Sequence, residues 1–566
     1  MTARAEDLPA RLGTSQNAVS NLEIGERRLD VLELRPLCAA LGISVEAFVA
    51  RLEHVLAKDP WRSTSPQGPY GRAPPGSTIL TPMETAMHTP RITRRTFLAS
   101  SAAVAASTTA HPIIAAPSRR APSLSRSGTL TGRVIWPQGP DYDEARLTFN
   151  TRYSRFPAAV VVCDTTEDVQ NAVRWARQQN IPFRARSGGH SYEAFSVVDD
   201  GLVIDVSGLD ATVVDTARGE AVVGAGVRLL DLYRHLWNFG VTLPAGTCPG
   251  VGIAGLTLGG GIGFLSRRYG LTCDNLLAVD LVDANGDTLR ASVDEHGDLF
   301  WALRGGGGGN FGIVTTFTFQ VHPIAEVALA TVTWPWDDVA EVLDAWQRWA
   351  PFVDNRLTAS LGIANPGAGV ISSTALFTGA PDELPTLLAP LLAAGTPSAP
   401  QIQSLPFMAA AEQLAGAGGG HANFKNTSAL AYEPLSPQAI STLVDGLRAA
   451  PTASNLVGLF PLGGAIATID PAATAFPHRR ALFDLQYQAY WWDASEEQTD
   501  VAWVDDLRAA MAPYTTGAYV NYIDADLPNW ETAYYGPNLD RLMQVKSAFD
   551  PDDVFNGPQT IPGHGS

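Results

Sequence analysis

A histidine and a cysteine flank the densest glycine stretch of this chain: His190 in RARSGGHSY (184–192) and Cys248 in GTCPGVGIAGLTLGGGIG (246–263). Imidazole and thiol are both nucleophiles, able to bond a ligand as well as touch it. Glycine at this density lets backbone amides approach a ligand with no side chain between them and supplies positive φ where turns require it. The pair therefore points to a cradle for a large, anionic cofactor, with a possible attachment side chain on either side.

Five motifs occur in one order: RSGGHSY, the Cys-Pro-x-Val-Gly-x-Ala-Gly stretch, the triple glycine Gly259 to Gly261, GGGGGNFGIVT (305–315), and YYGPNLDRLMQVKSAFDPDDVF (534–555). Together they resemble the FAD-linked oxidases of the berberine-bridge-enzyme type, over roughly residues 135–562. The resemblance implies an α+β fold: a two-part PCMH-type FAD-binding domain plus an α/β substrate domain with an antiparallel sheet. It also implies FAD bonded bicovalently through His190 and Cys248.

A pyrophosphate can be neutralised by backbone N–H groups and helix N-termini without lysine, and three segments could supply them. The first holds Arg186, Ser187, Gly188, Gly189, His190 and Ser191. The second holds Gly246, Thr247, Cys248, Val251, Gly252, Gly255, Gly259, Gly260, Gly261 and Gly263. The third holds Asn310, Gly312, Ile313 and Val314. A Rossmann arrangement is disfavoured because GGGIGF follows glycine-rich coil and lacks the acidic residue expected in a βαβ unit.

The resemblance places hydride transfer at flavin N5, from an alcohol, hemiacetal or amine carbon of a sugar or secondary metabolite, with a base taking the proton and O2 reduced to H2O2. The pattern Tyr-x-Asn-Tyr-x-Asp is complete in AYVNYIDADL (518–527). This is the family's pattern, and the resemblance nominates Tyr522, then Tyr519, as base, and Asn521, read on the same strand face as Tyr519, as a flavin hydrogen-bond partner. A tyrosine with an ordinary pKa of about 10 is protonated at neutral pH, so a nearby cation or the flavin's surroundings must favour the phenolate. Lys425 is one source of that charge, although a solvated lysine is the plainer expectation. Gln486 and Gln488 share a strand face where some relatives carry a glutamate base; glutamine cannot abstract a proton, which shifts that task to tyrosine. In the family that the chain resembles, valine at the place of Val251 accompanies oxygen access, which implies an oxidase rather than a dehydrogenase.

Alternating helices and strands from residue 153 must position these groups. EDVQNAVRWARQQN places Val169, Ala172, Val173 and Ala176 at helical spacing, and Asn285-Gly286 marks a hairpin. Ile313, Thr315, Phe317, Phe319 and Val321 alternate onto one strand face. The expected division is an FAD-binding domain over 153–324, a substrate domain over 325–515 and a C-terminal segment over 516–562 returning to the first.

The chain has 566 residues, a net charge of −18, 45% hydrophobic and 17% charged residues. This describes a globular protein with an ample core whose main body repels nucleic acid and anionic membranes. A neutral or cationic small molecule is the easier substrate. Four cysteines form no disulfide scaffold, and no metal-ligand spacing is present.

Ahead of the main body, residues 1–56 resemble a truncated helix-turn-helix regulator, and 57–90 are proline-rich linker. Residues 91–116 carry Arg94-Arg95 before a weakly apolar run, too short for a stable membrane span, which fits a twin-arginine signal and its export machinery. Export to an extracellular or periplasmic location follows, with translation starting at Met83 or Met87. If the N-terminal fusion is genuine, the protein is cytoplasmic. Two alternatives stand beside the oxidase: a flavin dehydrogenase using another acceptor, and a DNA-binding regulator.

Overall fold

The computed structural model describes residues 130–415 and 420–564. The readings made above for residues 1–116 lie outside them.

A four-stranded sheet opens the described chain, in the order Arg133–Ile135, Ala159–Val162, Leu202–Asp205, Phe183–Arg186; the last three are mutually parallel. Its first strand extends the expected FAD-binding domain ahead of residue 153. Helix Thr166–Gln179 crosses between two parallel strands. Thr165 and Asp168 cap its N-terminus reciprocally, while Val169, Ala172, Val173 and Ala176 are buried, as their spacing predicts. Asn180, left-handed at φ 51°, ends it.

A five-stranded antiparallel sheet follows, ordered Thr212–Asp215, Glu220–Gly224, Ile313–Gln320, Leu276–Val282, Thr288–Ser292. The last two form the hairpin at Asn285-Gly286, where Gly286 has φ 79°. These two sheets share a hydrophobic core with helix Leu229–Trp237.

The third sheet has seven antiparallel strands in the order Gln401–Pro406, Glu326–Pro335, Val370–Phe377, Leu357–Ala364, Leu456–Pro461, Phe483–Trp491, Asn423–Ala431. Strand alternation divides its residues between two environments. In Phe483–Trp491, Phe483, Leu485, Tyr487, Ala489 and Trp491 are buried on one side, four of them in the core that includes helices Val339–Trp349 and Pro437–Arg448. Asp484, Gln486, Gln488 and Tyr490 therefore occupy the opposite face.

Beyond residue 528 the chain packs back on the first sheets. The buried Lys546 Nζ donates to the Asn310 carbonyl at 3.0 Å and pairs with Asp550 at 2.7 Å, and Ile561 N–H donates to Asn310 Oδ1 at 2.9 Å. Cys163 and Cys273 are buried free thiols. Among the described residues no helix is long and apolar enough to cross a membrane.

Candidate active site

A cavity of about 1010 Å³ lies between the glycine-rich segments and the open face of the seven-stranded sheet. Segments 183–192, 246–249 and 307–310 supply one wall; Gln486, Gln488, Tyr490 and residues 519–523 supply the other. His190 and Cys248, 58 positions apart in the chain by their numbers, both line it. So do the other predicted cofactor residues, except the triple glycine.

Backbone stands against backbone where the first two glycine segments meet. A Cβ on Gly188 would lie 2.2 Å from Gly252 N, and one on Gly252 would lie 2.1 Å from Ser187 Oγ, so neither position tolerates a side chain. At Gly255 and Gly309 a Cβ would meet nothing within 4 Å: bare main chain faces open space there. That wall, the cavity's size and the two guanidinium side chains among its lining, Arg184 and Arg186, fit an extended dinucleotide with a pyrophosphate. Arg186 is held in place by a buried pair with Asp205 at 2.6 Å.

Gly259, Gly260 and Gly261, expected as cofactor grips, are absent from the lining and support the tyrosine loop instead. A Cβ on Gly259 would strike Asn521 Oδ1 at 2.1 Å, and Gly261 N–H donates to the Tyr519 hydroxyl at 2.8 Å. Side chains are excluded here so that Tyr519 and Asn521 can press against the main chain.

Where Tyr519 and Asn521 were expected on one strand face, the chain forms a 3₁₀ turn, Val520–Tyr522. Three residues per turn bring positions i and i+3 to the same side, and the Tyr519 and Tyr522 rings meet edge to face with centroids 5.0 Å apart. Asn521 Nδ2 donates to the Tyr519 hydroxyl at 2.8 Å and to the Leu256 carbonyl at 2.9 Å. Tyr519 thus accepts two N–H groups, while Tyr522 stacks on Tyr192 in the cavity wall. Gln486 Nε2 donates to the Tyr192 hydroxyl at 2.8 Å.

Burial pushes both candidate base tyrosines well above the usual phenol range; the charge of Asp484 pushes Tyr522 further in the same direction. Lys425 does not offset this. Contrary to the expectation of a solvated lysine, it is buried and surrounded by the carboxylates of Glu193, Asp524 and Asp526. The group that singles out Tyr522 is Asp484, which the motif reading missed. Its carboxyl is driven by burial to about 7, and its Oδ2 has no hydrogen-bond partner among the described residues. The signal was the alternation in LFDLQYQAYW, which puts this acidic residue on the face of Gln486.

His190 stacks on Phe149 with centroids 4.2 Å apart. Burial, reinforced by Arg228 and His421, lowers its pKa to about 4, so the imidazole is neutral and its nitrogen lone pair is available at physiological pH. Cys248 is exposed to the cavity, yet the protein around it raises its thiol pKa, chiefly by desolvation. The described residues hold no cluster of metal-ligating side chains.

Two family descriptions match the sequence: an FAD binding domain over residues 157–292, and a berberine and berberine-like segment over residues 518–562. The uncharacterised FAD-linked oxidoreductase YgaK of Bacillus subtilis is 42% identical over 438 residues, covering 76% of this chain and 97% of that one. The solved structure of BBE-like 1 from Physcomitrella patens superposes with a TM-score of 0.73 at 35% identity, covering 77% of this chain and 98% of that one. A chitooligosaccharide oxidase superposes with a TM-score of 0.72 at 26% identity, covering 77% and 98%.

Proposed function

Because this chain belongs to the berberine-bridge-enzyme-like FAD-linked oxidoreductases, we propose that it is an oxidase of neutral, polyhydroxylated substrates, with Tyr522 removing the proton in the field of Asp484. FAD, when bound, supplies the hydride acceptor and the route of electrons to O2. His190 and Cys248 are the two side chains that would bond it, one from each glycine-rich segment. Gly188, Gly252, Gly255 and Gly309 would give it bare main chain to lie against.

The observation that carries the proton assignment is geometric: the Tyr519 hydroxyl is taken up by Gly261 and Asn521, while Tyr522 lines the cavity stacked on Tyr192. A phenol cannot take a proton while it keeps its own. The Asp484 carboxyl, which ionises near neutrality, is not hydrogen-bonded to that phenol among the described residues, so its part is electrostatic: its charge sets the field in which Tyr522 takes up or gives up a proton. Tyr519, tied to Gly261 and Asn521, shapes the wall that presents Tyr522.

The sheet face supports the substrate class. Gln401, Thr331, Thr374 and Ser360 are consecutive cross-strand partners on four adjacent strands, and all line the cavity. They offer hydroxyl and amide groups and no charge. No Asp, Glu or Lys lines the cavity among the described residues, so a cationic amine would find no counter-ion there. The name of the chitooligosaccharide oxidase, and the place of Val251 on the cavity wall, favour peroxide as the second product. The basic and apolar run at 91–116 supports delivery through the twin-arginine route.

The test is a panel of neutral sugars, polyols, benzylic alcohols and amines, read by anaerobic flavin bleaching and by peroxide release in air. Bleaching by hydroxylated substrates followed by peroxide supports the reading. Bleaching without peroxide makes the protein a dehydrogenase, and bleaching by amines alone removes the substrate class.

A further inference from the structure

The loop bearing Tyr519 and Tyr522 has only one 3₁₀ turn of its own, so its placement depends on what grips its ends. Lys425, on strand Asn423–Ala431, does this from outside the cavity lining. Its Nζ lies 2.5 Å from Asp524 Oδ1, 2.8 Å from Asp526 Oδ2 and 3.3 Å from Glu193 Oε1, and its side chain is 0% exposed. Thr427, two residues along the same strand, donates to Asp524 Oδ2 at 2.6 Å. The second oxygen of Glu193 accepts from the Tyr153 hydroxyl.

The sequence positions of these partners are what matter. Asp524 lies two residues after Tyr522, and Glu193 lies one residue after Tyr192. One ammonium therefore reaches both segments whose tyrosine rings stack, 5.6 Å apart and 6° from parallel. The same ammonium is tied to the segment that carries His190. Burial works against its charge, but Asp524 and Glu193 outweigh that cost and hold it above the usual lysine range. Asp526 is 61% exposed and closes the solvent side of the group.

We propose that Lys425 is a positioning residue: by clamping Glu193 and Asp524 to one strand, it fixes the Tyr192–Tyr522 stack and thereby the aim of the Tyr522 hydroxyl. The proposal rests on Tyr522 as the proton acceptor. It separates from that reading because the clamp has a signature independent of turnover.

The test compares the full chain, loaded with flavin, as wild type, Lys425→Met and Thr427→Val. The second variant removes a single hydroxyl from the same clamp and serves if the first fails to fold. Hydrogen exchange read by mass spectrometry should quicken together in peptides covering 190–193 and 518–527, while strand Phe483–Trp491 keeps its protection. At saturating substrate, kcat should fall about 10-fold or more with KM within about 3-fold, the scale of a small misplacement of a reacting group. In a Tyr522→Phe background the further loss should vanish, because both changes act through one group. Exchange that quickens only within Asn423–Ala431, or a kcat loss undiminished in the Tyr522→Phe background, overturns the clamp. Should the wild type oxidise nothing, exchange still decides the clamp, and the failure belongs to the functional reading.

Discussion

The rings of Tyr192 and Tyr522 lie 6° from parallel with centroids 5.6 Å apart. Tyr192 comes from the segment carrying His190 and Tyr522 from the C-terminal loop, so this stack joins the proposed attachment side chain to the proposed base. Gln486 completes the join by donating to the Tyr192 hydroxyl.

Replacing Tyr522 with Phe should lower kcat by about 10²–10⁴-fold, the usual contribution of a positioned proton acceptor, and leave thermal stability nearly unchanged. Tyr519→Phe should act differently. It strands the Gly261 N–H donor and costs about 1–3 kcal/mol of stability. Steady-state kinetics and thermal melts on both variants check this; a larger kcat loss for Tyr519→Phe would exchange the two roles.

On the proposed assignment, Asp484 should govern the pH dependence. Its carboxyl ionises at about 7 in the fold, against an unfolded value of about 3.9. Activity should therefore rise with pH through about 7 and flatten in Asp484→Asn. For stability the sign is opposite. A raised carboxyl pKa contributes stability that is present below the unfolded value and is lost as pH climbs through the folded one. Asp484→Asn should thus be the more stable protein at pH 8, by roughly 2–4 kcal/mol. Urea melts at pH 5 and pH 8 measure it, and equal pH dependence in both proteins would exclude the assignment.

His190 and Cys248 should each account for one bond to flavin. Either His190→Ala or Cys248→Ala should keep a flavin adduct in its denatured intact mass, and the double variant should release all its pigment on acid precipitation. An adduct surviving in the double variant would place the attachment elsewhere.

Gly188→Ala should fail as a scaffold change. Its Cβ would meet Gly252 N at 2.2 Å, a collision with main chain that no rotamer relieves. Loss of flavin retention together with a lower melting temperature is expected. Gly255→Ala, where a Cβ meets nothing within 4 Å, should fold normally and weaken flavin retention alone.

Much of this protein was legible in its sequence by itself. The helix over 166–179, the hairpin at Asn285-Gly286 and the glycine-lined wall follow from local chemistry: capping, periodicity and positive φ are written into neighbouring residues. His190 and Cys248 stood out by their place beside the glycines, while their roles and those of the two tyrosines came from the resemblance to a family's motifs. Tertiary structure decided which neighbours act on them. The charge of Asp484 acts on Tyr522, Lys425 meets Glu193 and Asp524 across separations of up to 232 positions, and Gly259 to Gly261 seat a tyrosine loop. Charge and burial at those points depend on which strands lie side by side. A lysine that reads as solvated in one dimension becomes, in three, a buried ammonium among carboxylates, because chain order carries no record of the desolvation and Coulomb fields that folding creates.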